Sequence, residues 1–223
     1  MDARRAVRVG FTFAICVALF APSTELDADE TTEFEVALAL DFSALREIPP
    51  AIEAAAVAEA GRIWAPVKVT IGSMPADSDL EERQIVQIVE TPMSVRHGLR
   101  HELAEVRFID GLPTPCIGLY VDSLHAIIDE MIRERFPRFQ PPVPISVLIR
   151  GQVLGRVLAH EIGHYVLRSP HHERDGLMRA VHWTTEFSDP GGVGFRLTRW
   201  DVDRLRALVA SRVLRAQEHR SPP

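Results

Sequence analysis

The chain has 223 residues, of which 46% are hydrophobic and 25% are charged. This composition is typical of a soluble globular protein, and the length suffices for one well-buried domain or two small ones. The formal net charge of −6 at pH 7 argues against nucleic acid as a partner.

The first 21 residues predict a secretory signal peptide. Three arginines, Arg4, Arg5 and Arg8, precede an apolar run over residues 9–20 that is short for a membrane span. The alternative is an uncleaved signal anchor, because no clear small-x-small cleavage site stands near residue 21. We therefore expect a secreted or periplasmic protein, or one that meets the membrane only through an uncleaved N-terminal segment.

Residues 22–32 are acidic and rich in threonine, and they predict a loose leader before a single domain over residues 33–217. Only Cys116 lies outside the signal segment, so no intrachain disulfide is expected in the mature chain. The oligomeric state has no signature in the sequence.

The first half of the domain predicts strands with one early helix. Apolar residues in alternating or short continuous runs predict five strands, over residues 34–40, 67–71, 84–89, 104–109 and 117–121. Pro49 and Pro50 begin a helix that ends near Gly61. A polar loop is expected over residues 72–82.

Turn and cap residues predict how the next elements are joined. Asp110-Gly111, together with Pro113 and Pro115, predicts a hairpin-like connection between the fourth and fifth strands. Ser123 is the predicted N-cap of a helix with apolar residues at helical spacing. Four prolines between residues 137 and 144 end this helix, so the next one is expected to begin within residues 145–152.

The most informative stretch is an H-E-x-x-H motif at residues 160–164, His160-Glu161-Ile162-Gly163-His164. Apolar residues recur around it at steps of three or four, which predicts an amphipathic helix. On that helix the two histidines are one turn apart and share a face, so both imidazoles can reach a single ion. Pro170 predicts the end of the helix near Arg168.

A second histidine pair, His171 and His172, follows the helix and supplies a third candidate ligand. Zinc favours imidazole nitrogen, and catalytic zinc sites usually keep three protein ligands and one open position. We expect His172 to be the third ligand, with His171 as the alternative. The segment between Pro170 and His172 is the longer one, so the chain can more easily bring that imidazole back to the ion. Glu161 is not an expected ligand but a general base for a zinc-activated water. The motif therefore predicts a zinc-dependent hydrolase that cleaves peptide bonds.

The C-terminal part predicts little regular structure before a last helix. Residues 181–196 look irregular. Thr198 and Asp201 predict an N-cap with its acidic partner, and apolar residues at helical spacing follow.

These residues resemble the metzincin clan of zinc peptidases, whose pattern is H-E-x-x-H-x-x-G-x-x-H with a methionine-containing turn. The matching residues are His160, Glu161, His164, a third histidine at 171 or 172, and Met178 within Gly176-Leu177-Met178. Two features depart from the pattern. Leu167 stands where the family has glycine, and the third histidine comes one or two residues late.

The resemblance implies an α+β, zincin-like catalytic domain with a mixed twisted sheet, an active-site helix and a C-terminal helix. It also implies that Met178 packs beneath the imidazoles as a Met-turn. In that family an edge strand of the sheet pairs with an extended substrate, and residues 104–109 are the expected equivalent. A peptide or protein is the expected partner, since strand addition binds a peptide through its main chain.

Three alternatives remain open on the sequence, and one of them is a metal hydrolase that acts on something other than peptides. In a gluzincin-type hydrolase Glu186 would be the third ligand, although Pro190-Gly191-Gly192 follows too closely for a convincing helix. The third alternative is a catalytically inactive zinc-binding or interaction protein on the same scaffold. His182 and Tyr165 are candidate oxyanion stabilisers, and each has an ordinary structural interpretation.

Overall fold

The computed structural model describes residues 36–45, 48–74, 84–92 and 102–218, and the side chains as far as residue 211. The predicted signal peptide, the leader and most of the polar loop at 72–82 lie outside these ranges. Among the residues that the structure describes, no helix combines the length and the apolar character needed to cross a membrane.

The fold is α+β, with a mixed sheet of five strands in the order β2-β1-β3-β5-β4. The strands are β1 (Val36–Asp41), β2 (Val69–Ser73), β3 (Gln84–Glu90), β4 (Ala104–Ile109) and β5 (Leu112–Leu119). Strand β1 is parallel to β2 and β3, and β3 is parallel to β5. Strand β4 runs antiparallel to β5 and forms one edge of the sheet. All five predicted strands are therefore present.

The connection between β4 and β5 is tighter than the sequence suggested. Asp110 and Gly111 both have positive φ angles, 51° and 76°, and they alone form the turn, because Ile109 pairs with Leu112. The prediction that Pro113 and Pro115 separate the two strands was wrong, since both lie inside β5. Pairing of β5 with β3 begins only at Cys116, so the prolines, which lack an N–H, precede that ladder.

In the described part of the chain, five helices accompany the sheet: α1 (Pro50–Trp64), α2 (Val121–Arg135), α3 (Val143–Leu167), α4 (Thr184–Phe187) and α5 (Arg199–Glu218). Helix α2 begins at Val121, so Ser123 lies in its first turn, and the predicted N-cap there was wrong. Helix α3 begins earlier than expected, because Pro144 falls in its first turn, where a missing N–H is tolerated. The segment expected to be irregular contains the single turn α4 and a 3₁₀ turn at Val193–Phe195.

The cap of α5 is confirmed. Asp201 Oδ2 accepts hydrogen bonds from the Thr198 N–H at 2.7 Å and from its hydroxyl at 2.8 Å. The Asp201 N–H donates in return to Thr198 Oγ1 at 3.2 Å. This reciprocal pair satisfies donors that a helix start leaves unpaired.

Small residues at every fourth position let α3 lie close against α1 and the core. They are Gly151, Gly155, Ala159 and Gly163. A β-carbon at Gly155 would lie 2.5 Å from the Ala56 carbonyl oxygen, so the two helices approach more closely than side chains there would allow. The Ala159 carbonyl accepts the indole N–H of Trp64 at 3.0 Å. This hydrogen bond sets the position of α3 along its own axis relative to α1. It therefore also sets the position of the H-E-x-x-H motif, which begins at the next residue.

Candidate metal centre

Helix α3 positions the first two candidate ligands and then ends sharply. His160 and His164 lie one turn apart near its C-terminus. Arg168 takes the left-handed conformation, with φ 48°, and the Ser169 N–H bonds to the His164 carbonyl at 3.2 Å. Leu167, which replaces the glycine of the metzincin pattern, is fully buried in the core. The turn therefore falls one residue later than in that pattern, and His172 comes two residues later.

The structure brings three histidines together: His160, His164 and His172 have ligand nitrogens that all lie within 4.8 Å of one another. Such a group can hold a metal ion. His171 lies outside the group, is exposed, and bonds through its main-chain N–H to Ser169 Oγ at 3.3 Å. Of the two candidates for the third ligand, His172 is thus the one that faces the other imidazoles.

Main-chain carbonyls orient the two helical imidazoles. His160 Nδ1 lies 2.7 Å from the Leu177 carbonyl oxygen, and His164 Nδ1 lies 2.6 Å from the Ser169 carbonyl oxygen. A carbonyl only accepts, so each Nδ1 carries the proton and each Nε2 presents a lone pair. Metal-binding histidines commonly have this second partner, which fixes both the tautomer and the ring orientation.

The Nε2 atoms of His160 and His164 are placed so that a metal ion fits between them. The two Nε2 atoms face each other at 3.2 Å, each with a lone pair, and this arrangement is repulsive unless a cation lies between them. Burial lowers the pKa of His160 to about 3, with a further contribution from the charge of His164, so a shared proton is disfavoured at neutral pH. Two nitrogens bound tetrahedrally to zinc would lie about 3.3–3.4 Å apart, since Zn–N bonds are about 2.0–2.1 Å. The donors therefore fit a small divalent cation.

Glu161 lies beside this group and is 6% exposed. Its carboxylate lies next to the main chain of Val106, in the edge strand β4. Burial raises the pKa of Glu161 to about 8, and the charge of Glu105 adds to the rise, while the main chain of Val106 opposes it. A carboxyl group with a pKa near neutrality can both take up and return a proton.

Met178 is buried and packs against α3 at Gly163. A β-carbon at Gly163 would overlap its Sδ atom, so the glycine makes room for the thioether. The turn before it uses Gly176 at φ 74°, and the Leu177 N–H bonds to the Arg196 carbonyl at 2.8 Å. Because this turn also supplies the carbonyl that holds His160, it supports the metal centre directly.

The other predicted site residues lie outside the group of three histidines. Glu186 pairs with Arg179 and accepts the Trp183 N–H at 2.7 Å, so the structure does not bring it to the three histidines. Tyr165 donates its hydroxyl to Gln84 at 3.2 Å. The His182 ring lies 6.0 Å from the His160 ring, measured between centroids, and its Nε2 is 3.3 Å from the Leu177 carbonyl oxygen.

Sequence reasoning missed the role of Arg156, one turn before His160 on α3. Its guanidinium is fully buried, binds Glu59 of α1 at 2.8 Å, and donates to the carbonyls of Glu186, Phe187 and Asp189. It therefore fastens the segment after the methionine turn to the helix that carries the ligands. An arginine on the apolar side of a helix was the available signal.

Comparison with protein-family models, with curated proteins and with solved structures found no match to this chain.

Proposed function

We propose that this chain is an extracytoplasmic zinc-dependent metallopeptidase that hydrolyses peptide bonds. The observation that supports the proposal most strongly is the pair of Nε2 lone pairs facing each other at 3.2 Å, with His172 beside them and both Nδ1 protons held by carbonyls.

Zinc is the metal that suits this donor set best. Three imidazole nitrogens with no carboxylate or thiolate are typical of catalytic zinc sites that keep a position open. Bound there, zinc would lower the pKa of water and polarise a carbonyl group, which are the two requirements for amide hydrolysis at neutral pH. His172 is exposed, so substrate can approach from its side of the centre.

Glu161 is the proposed proton carrier. It follows His160 directly on α3, where burial raises the pKa of its carboxyl group, while a cation bound beside it would favour the ionised form that accepts a proton. It accepts a proton in the attack step and returns it to the leaving amine in the collapse step.

The edge strand β4 is the proposed docking place for the peptide. It pairs with β5 on one side, lies at the end of the sheet, and contacts Glu161 through Val106. A peptide that adds to this edge would run past the carboxylate, with its main chain held by hydrogen bonds.

The test compares the wild-type chain with Glu161→Gln, which keeps the shape of the side chain and removes its basicity. We expect both proteins to bind one zinc ion, and only the wild type to cleave a broad peptide library. Loss of one general base typically costs about 10²–10⁴-fold in rate. A matched control is Glu173→Gln, which changes a carboxylate in the loop after the third histidine and should leave cleavage intact.

Zinc-loaded wild-type protein that cleaves no peptide in the library would contradict the peptidase proposal and favour a non-catalytic zinc-binding protein. A Glu161→Gln variant as active as the wild type would contradict the role of Glu161 alone.

A further inference from the structure

We infer that His182 is a positioning residue for the metal centre, at the end of a hydrogen-bonded relay that runs from Glu186 through Arg179 and His182 to the Leu177 carbonyl. The inference rests on the proposed metal centre, since the Leu177 carbonyl holds the ligand His160. It assigns a role to three side chains that bind neither the metal nor the peptide.

The direction of each hydrogen bond in the relay follows from chemistry. A guanidinium group only donates, and Arg179 Nη2 lies 3.3 Å from His182 Nδ1, so this nitrogen must be the acceptor. The proton of the neutral ring is then on Nε2, which points at the Leu177 carbonyl oxygen at 3.3 Å. The carbonyl thus accepts from two imidazoles, since His160 Nδ1 lies 2.7 Å from the same oxygen.

The far end of the relay is anchored by charge. Glu186 forms an ion pair with Arg179, and its Oε2 also accepts the Trp183 N–H at 2.7 Å. Arg156 holds the carbonyl of the same Glu186 at 2.9 Å, so the residue is fixed through main chain and side chain. The relay therefore starts from a carboxylate that has little freedom to move.

Packing holds the ring of His182 in the required plane. The imidazole stacks on Phe195, with ring centroids 4.2 Å apart and planes at 15°, and Phe187 contacts it edge-on at 6.0 Å. Phe195 is itself 1% exposed and lies beneath Arg156. The side chain of His182 is 7% exposed, so few other orientations are open to it.

The relay bears on the metal through His160. A carbonyl with both lone pairs engaged is held in position, and its orientation sets the plane of the His160 ring and the direction of its Nε2 lone pair. Without the second donor, the Leu177 carbonyl can tilt within its turn. The geometry of the first ligand then becomes less defined, and metal affinity falls while the fold persists.

The test uses two replacements that separate stacking from hydrogen bonding. His182→Phe keeps a ring against Phe195 and removes both hydrogen bonds, whereas His182→Gln restores an N–H that can reach the Leu177 carbonyl. The control is His125→Phe on α2, the same chemical change in a histidine outside the relay. The full chain is loaded with zinc against a chromophoric chelator, and separately with cobalt(II), whose visible spectrum reports ligand geometry.

We expect His182→Phe to weaken zinc binding by about 10–100-fold, as loss of an outer partner of a metal ligand typically does. Its cobalt(II) spectrum should change, its far-ultraviolet circular dichroism should not, and His182→Gln should recover most of the affinity. Wild-type affinity and spectrum in His182→Phe would overturn the relay and leave the peptidase proposal standing. A wild type that binds zinc but cleaves no peptide would remove the peptidase proposal and leave the relay intact.

Discussion

At the residue scale, the position of one left-handed residue decides which histidine can face the other two. The metzincin pattern places glycine at the residue where this chain has Leu167, but here Leu167 stays helical and buried, and Arg168 turns the chain. Ser169 then places its carbonyl on His164 Nδ1 before the chain reaches His171 and His172. The turn is thus displaced by one residue and the third histidine by two, and His172 still reaches the other two imidazoles.

The two adjacent histidines should behave oppositely when each is replaced. We expect His172→Ala to lose zinc affinity by more than the roughly 10–100-fold typical of an outer partner, because it removes a ligand itself. His171→Ala should stay near the wild type, since His171 lies outside the group of three. Zinc titration of both variants is the measurement. Loss of zinc only in His171→Ala would show that the third ligand was wrongly assigned.

At the element scale, the close contact between α1 and α3 depends on missing side chains. Gly151 and Gly155 lie on the face of α3 that meets Ala55 and Ala56 of α1. A β-carbon at Gly155 would meet both a carbonyl oxygen and the Glu59 β-carbon, at 2.5 Å and 2.7 Å. Neither atom is the flexible end of a side chain, so the helices themselves would have to move apart.

Gly155→Ala should therefore lower the free energy of unfolding by about 1–3 kcal/mol, the usual cost of overpacking a core. The matched control is Gly61→Ala in α1, where the nearest atom to an added β-carbon, outside that helix turn, is 3.7 Å away. A helical glycine with that much room should gain about 0.5–1 kcal/mol on becoming alanine. Denaturant unfolding of both variants measures the difference, and a Gly155→Ala variant as stable as its parent would refute the close-packing account.

Elements with clear periodicity were predictable from the sequence, and their ends were less so. The alternation in β1 and the three-to-four spacing in α3 identify the type of each element locally, although both elements are buried beyond a single face. Proline positions misled the prediction twice, at Pro113–Pro115 and at Pro144. A proline excludes one hydrogen bond, and whether that bond was needed depends on the neighbouring strand or on the distance from the helix start.

At the scale of the whole molecule, one buried ion pair joins three parts of the chain. Glu59 of α1 binds Arg156 of α3 and Arg62 of its own helix, and Arg156 also holds the main chain at residues 186–189. Burial raises the pKa of Glu59, but the hydrogen bonds from Arg62 and Arg156 outweigh it and hold the pKa below its usual value of 4.5.

This pair predicts a pH dependence of stability. The depressed pKa means that Glu59 stabilises the fold fully above about pH 4.5, and that this contribution is lost as pH falls through the lower, folded value. Glu59→Gln should therefore lower the free energy of unfolding at pH 7 by about 3–5 kcal/mol, because Arg156 keeps an unpaired buried charge. The difference from the wild type should shrink in acid.

Denaturant unfolding at pH 7 and near pH 3 measures both quantities, with Glu53→Gln on the same helix as the control. An unchanged stability of Glu59→Gln at pH 7, or a difference that grows in acid, would contradict the role given to this pair.

The candidate site was partly predictable, and the reason for the limit is physical. His160, Glu161 and His164 follow from helical geometry, because their spacing alone places them together. The carbonyls of Ser169 and Leu177 have no side-chain signature, so their role depends on where the chain turns back. Arg156 and His182 are visible only once the segment after Met178 is folded against α3.

The most direct test of the central claim is X-ray absorption at the zinc K-edge on the zinc-loaded chain, with the zinc content measured in the same sample. The account predicts one zinc per chain, with three imidazole nitrogens at about 2.0–2.1 Å. A spectrum with one imidazole or none, or zinc that does not remain bound after dialysis, would contradict the metal centre at His160, His164 and His172.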